Sequence, residues 1–178
     1  MGANVITNAE EAYEKAMSNP SPMMGLIVVI VTGLVFGGAL YLIAPLPQLF
    51  AIAIIANVIQ WIVLSAVLWG LYVMFKEKKM GDMGFAQIAS ATGKLWTLVL
   101  LLYVILLIGM LLSGLAGLAA WGLTVIVGAL ALYSHYKLIK VMLSSNKGRH
   151  IIVWFVSLII TGLVMAIIIA LINSLIRM

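Results

Sequence analysis

The sequence predicts an all-α polytopic membrane protein: a bundle of five transmembrane helices preceded by a short N-terminal amphipathic helix. Three observations predict it. First, 65% of the 178 residues are hydrophobic and only 8% are charged, whereas a soluble domain carries about 25% charged residues. With a mean hydropathy of +1.25, the chain has too few polar side chains to cover a water-facing surface. Second, five apolar runs contain no Asp, Glu, Lys or Arg, and each reaches or approaches the ~20 residues a helix needs to cross a bilayer core. Third, the basic residues fall between those runs in a pattern that fixes how many times the chain crosses.

Residues 1–22 form a polar, acidic segment that is not a secretory signal. Met1-Gly2 opens like a myristoylation site, but Ile6 stands where Ser or Thr is required. Residues 8–18 read as an amphipathic helix. Asn8 can cap it, and Glu11 is placed to complete a capping box. Ala9, Ala12, Tyr13, Ala16 and Met17 share one face, and Glu10, Glu11, Glu14 and Lys15 cover the rest. Membrane-surface helices are usually rich in Lys and Arg. This acidic face therefore predicts docking on the protein's own bundle or on a partner.

The transmembrane domain spans residues 23–178. The first run is Met23 to Ala44, and Pro45-Leu46-Pro47 separates it from the second, Leu49 to Phe75. The segment Lys76 to Lys94 follows. Its basic start, Lys76, Lys78 and Lys79, is placed among lipid headgroups, as a topology signal or as a site for anionic lipid. Gly84 to Thr92 reads as an interfacial helix with Phe85, Ile88 and Ala89 toward the membrane. The third run, Leu95 to Leu112, is divided from the fourth, Leu115 to Tyr136, only by Ser113-Gly114. A basic loop, Lys137 to His150, leads to the fifth run, Ile151 to Ile176.

With five crossings, Lys15, Lys76, Lys78, Lys79, Lys94, Lys137, Lys140, Lys147 and Arg149 lie on one side, and only Arg177 lies on the other. Merging the third and fourth runs would split the ten basic residues five to five. The positive-inside rule then predicts a cytoplasmic N-terminus and an external C-terminus. The excess of +5 charges is explained by topology. The basic residues lack the aromatic interleaving of a nucleic-acid surface, and no nucleic-acid partner is expected.

Little in the sequence resembles catalysis, and the reading is of a protein that is not an enzyme. There is no cysteine, so thiol chemistry and disulfides are excluded. Asn19-Pro20-Ser21 has proline in the position that forbids glycosylation. No cofactor is expected. His135, His150, Met80 and Met83 do not have metal-ligand spacing, and no metal is expected. Asn57 and Gln60 are the most polar residues inside a run and share a helix face. That face should point into the bundle, as interhelical glue or as the lining of a polar path.

Small residues mark close helix contacts. Gly33 and Gly37 form a Gly-xxx-Gly pair, Gly162, Ala166, Ala170 and Ser174 recur every four residues, and Gly109, Ser113 and Gly117 do likewise. Such ladders serve packing inside one bundle or between chains. Trp96 and Trp154 fit an aromatic belt, whereas Trp61 lies deeper, near Asn57 and Gln60.

The order of parts resembles the Yip family of five-span membrane proteins, named for interaction with Ypt/Rab GTPases. The resemblance rests on Asn19-Pro20 and Pro22 before the first run, on Gly84-Phe85-Ala86-Gln87-Ile88 through Gly93-Lys94-Leu95-Trp96, and on Tyr133 to Lys140 ahead of a basic loop and a final run. The chain departs from eukaryotic members in lacking their Asp-Leu-Tyr-Gly-Pro motif and long N-terminal region. Ala91-Thr92-Gly93 also stands where a proline is common. The resemblance implies a compact relative of prokaryotic type in a cell membrane. It further implies a scaffold that binds a membrane-protein partner or its own copies, with no enzymatic activity. A small transporter or channel subunit using Asn57 and Gln60 is the alternative.

Overall fold

The computed structural model of the protein describes residues 8–43, 45–75, 82–112, 114–143 and 147–176. The described residues form six α-helices: α1 (Ala9–Ser18), α2 (Pro22–Ile43), α3 (Gln48–Phe75), α4 (Phe85–Leu111), α5 (Gly114–Leu143) and α6 (Lys147–Ile176). No strand occurs among them. The last five are long and apolar enough to cross a membrane. Their outward side chains are large and apolar, among them Met74, Leu115, Val125 and Leu163, a surface suited to lipid rather than water. The chain is an integral membrane protein.

Each reversal has a local cause. Pro22 starts α2 where a missing N–H costs nothing, and the Ser21 carbonyl accepts from the N–H groups of Met24 and Gly25. Pro45 and Pro47 end α2 and start α3, with Leu49 donating to Leu46 and Phe50 to Pro47. Gly114 has φ of +62°, a left-handed conformation open to glycine, and the chain turns there between α4 and α5.

The helices alternate in direction, so α1, the end of α3, the start of α4, the end of α5 and the start of α6 gather at one end. Helix α4 is central and packs on α1, α2, α3 and α5, while α6 lies against α3 and α5. Burial is concentrated toward the α1 end. Leu68, Tyr72, Ile88, Leu138, Ile139, Met142 and Val153 belong to one core with Tyr13. Beyond Ser157, no described side chain of α6 is buried.

Several expected boundaries move. Gly84 to Thr92 is not a separate interfacial helix but the first part of α4. Nothing between Gly84 and Leu112 breaks the helix, and Lys94 sits within it rather than at its edge. Ile88 and Ala89 are buried in the bundle instead of facing the membrane; only Phe85 of that trio is exposed. Helix α5 continues past Tyr136 through Lys137 and Lys140, and α6 begins at Lys147, which leaves the basic loop much shorter. Trp96 leaves the aromatic belt altogether and is buried. Lys76, Lys78, Lys79, Met80 and Arg177 lie outside the described residues.

Candidate functional site

Two regions of the bundle hold polar groups away from bulk water. The first is a seam between α3 and α4. Asn57 is buried, and its Nδ2 donates to the Ala53 carbonyl at 2.9 Å. Its Oδ1 accepts from the indole N–H of Trp96 at 3.4 Å. One turn on, the Trp61 indole donates to the Ala89 carbonyl at 3.2 Å. Ser65 donates to the Trp61 carbonyl and lies 2.7 Å from the Thr92 hydroxyl. In lipid each of these groups would otherwise be unsatisfied. The seam therefore fixes the register of α3 against α4. Gln60, expected beside Asn57, is only half-buried.

The second region is the α1 end. Asn8 caps α1 by accepting from the Glu11 N–H at 3.4 Å. The Glu11 carboxylate accepts from the Asn8 side chain at 2.7 Å, so the pair closes side chain to side chain. Ala12, Tyr13, Ala16 and Met17 are buried. Four polar contacts hold α1 in place. The Tyr13 and Ser134 hydroxyl oxygens are 2.5 Å apart. Gln87 donates to the Met17 carbonyl at 3.2 Å. Glu10 accepts from Lys137 at 2.6 Å and from Lys140 at 2.9 Å. Hydrogen bonds from Lys137, then from Lys140, hold the Glu10 carboxyl below its ordinary value.

Between α1, the start of α2 and the first turns of α4 lies a cavity of 330 Å³. Its polar lining comes from Lys15, Asn19, Ser21, Ser90, Lys94 and Thr97. Ser90 is 5% exposed, and its Oγ has no hydrogen-bond partner among the described residues. Just beneath the cavity, α2 and α4 cross at Gly25 and Gly93: a Cβ on Gly93 would stand 2.4 Å from the Gly25 Cα. In the sequence the pair is marked only by Ser21 four residues before Gly25 and Ala89 four before Gly93.

The remaining sequence candidates are structural or open. Gly33 and Gly37 meet α3, with an added Cβ 2.6 Å from the Ile54 Cα and 2.8 Å from the Phe50 Cα respectively. Gly162, Ala166 and Ala170 are exposed, and a Cβ on Gly162 would meet nothing within 4 Å. His135 is buried, with its Nε2 3.4 Å from Ser157 Oγ. Ser157 donates to the Trp154 carbonyl, so the imidazole is the donor in that contact. No carboxylate lies on α5 or α6 to support it as a base. Among the described residues, no three His, Cys, Asp or Glu side chains converge.

Comparison of the chain with protein-family models, with curated proteins and with solved structures finds no match.

Proposed function

We propose that the protein is a non-enzymatic membrane scaffold that holds another transmembrane helix against the outer half of α6. The helix comes from a second copy of the chain or from another membrane protein. The observation that carries this reading is the contrast between two small-residue ladders. Gly33 and Gly37 are consumed by contact with α3, whereas Gly162, Ala166 and Ala170 present the same kind of surface and are exposed among the described residues. Small residues on a lipid-facing helix let a second backbone approach closely, and van der Waals packing then drives association. The likeness to the Yip family in order of parts points the same way. A polar path near Asn57 and Gln60 gains no such support, because the Asn57 amide is engaged at both ends.

The proposed orientation places α1 in the cytoplasm, with support from the nine basic residues that five crossings assign to that side. The cysteine-free chain makes both ideas accessible to single-cysteine chemistry. In intact cells, an impermeant maleimide should label Gln48→Cys, and Ser18→Cys only after lysis. A photocrosslinker attached at Ala166→Cys in native membranes should give protein adducts, whereas one at Val125→Cys, on the exposed face of α5, should give lipid adducts. Monomer and lipid adducts alone at both positions would end the scaffold reading.

A further inference from the structure

We propose that the cavity between α1, α2 and α4 is a binding site for a phosphate-type anion, with the headgroup of an anionic phospholipid as its source. This site is separate from the α6 face.

Three independent sources of positive potential meet there. Lys15 reaches the cavity from α1 and Lys94 from α4. Neither has an ion pair among the described residues, in contrast to Lys137 and Lys140, which share Glu10. The third source is the N-terminus of α2, a helix of 22 residues whose first turn lines the cavity at Ser21, Met24 and Gly25. The helix dipole makes such an end attractive to anions, although the Met24 and Gly25 N–H groups are turned to the Ser21 carbonyl.

The second kind of evidence is Ser90. A buried hydroxyl without a partner costs free energy, and in a helix it can usually bond back to its own turn. Ser90 does neither and lines the cavity. Asn19, Ser21 and Thr97 add further polar groups around the same space. The carboxylates of α1 do not compete: Glu10 is held by the two lysines of α5, Glu11 is engaged with Asn8, and Glu14 does not line the cavity.

Location and shape favour a lipid. The site lies where α1, outside the apolar runs, meets the first turn of the first span, which is the level of the phosphate layer. Ala12, Ala16, Met24 and Val28 supply an apolar wall beside the charged groups, suited to a molecule with a charged head and an apolar body. Lysine is an effective point-charge ligand for phosphate.

Purified protein in neutral detergent, titrated with phosphatidylglycerol, phosphatidylcholine or inorganic phosphate, tests the proposal by native mass spectrometry and thermal shift. One phosphatidylglycerol should persist under conditions that strip phosphatidylcholine. Lys94→Gln and Lys15→Gln should each weaken it about tenfold, the scale of one lost charged contact, and Lys94→Arg should retain it. Ser90→Ala should weaken it in the same direction. Lys15 is exposed, so its variant reports on the site even where Lys94→Gln fails to fold. A melting shift with inorganic phosphate that depends on Lys94 would support the anion site and make the source a soluble phosphate. Equal retention of both lipids without a phosphate effect overturns the proposal. So does phosphatidylglycerol retention indifferent to both lysine substitutions.

Discussion

Tyr13 and Ser134 stand 121 residues apart in sequence, yet their hydroxyl oxygens lie 2.5 Å from each other in a buried contact. This pair ties α1, which among the described helices is the one outside the apolar runs, to α5, the fourth span. Tyr13→Phe keeps the ring and its packing but leaves the Ser134 hydroxyl without this partner. The expected loss is about 1–2 kcal/mol, read as a lower melting temperature in detergent. Ser134→Ala combined with Tyr13→Phe should cost less than the tyrosine change alone, because no orphan remains.

The Glu10 cluster predicts how α1 responds to acid. The folded carboxyl titrates below its ordinary value of about 4.5 because Lys137 and Lys140 hydrogen-bond its charged form. Its contribution is therefore fully present above that value and is lost as pH falls through the lower, folded one. Between pH 7 and 5, α1 docking should be unchanged. Below about pH 4.5, hydrogen exchange in α1 should accelerate, and Glu10→Gln should abolish that acid response.

The crossing of α2 and α4 leaves no room at Gly93, where an added Cβ would sit 2.4 Å from backbone. Gly93→Ala should destabilise by about 1–3 kcal/mol, as overpacked sites do. Gly70→Ala, which meets nothing within 4 Å, should be neutral or stabilise by up to about 1 kcal/mol through helix propensity. Unfolding in mixed micelles compares the two directly. Equal effects would mean that the crossing is looser than described.

Asn57 and Trp96 predict a non-additive pair. Asn57→Leu strands the buried Trp96 N–H and should cost about 1–3 kcal/mol. Adding Trp96→Phe removes the stranded donor and should recover part of that loss, so the cycle yields a coupling energy across α3 and α4. The same Asn57→Leu protein in liposomes should show unaltered solute permeability. A changed permeability would revive the conduit reading.

The sequence showed the spans because lipid imposes composition on every outward position, and the charged residues counted the crossings. It showed the inner face of α1 because water forces a helix to separate Ala12, Tyr13, Ala16 and Met17 from its glutamates. It hid the seam because α3 and α4 are apolar on all sides, so no periodicity distinguishes the face that meets a neighbour from the face that meets lipid. Lys94 resembles the end of a span, which places Trp96 at the membrane surface and Gly93 in a loop on sequence alone. The cavity was hidden for a different cause: Lys15, Ser21 and Ser90 belong to three helices, and only packing brings them together.

The seat of α1 also orders events in time. Helix α1 cannot settle until α5 has entered the membrane, because Ser134, Lys137 and Lys140 are translated long after Tyr13 and Glu10. At about 5–20 residues per second, the 121 residues between Tyr13 and Ser134 take on the order of ten seconds to emerge. Throughout that interval the nascent chain carries α1 without the side chains of α5 that hold it.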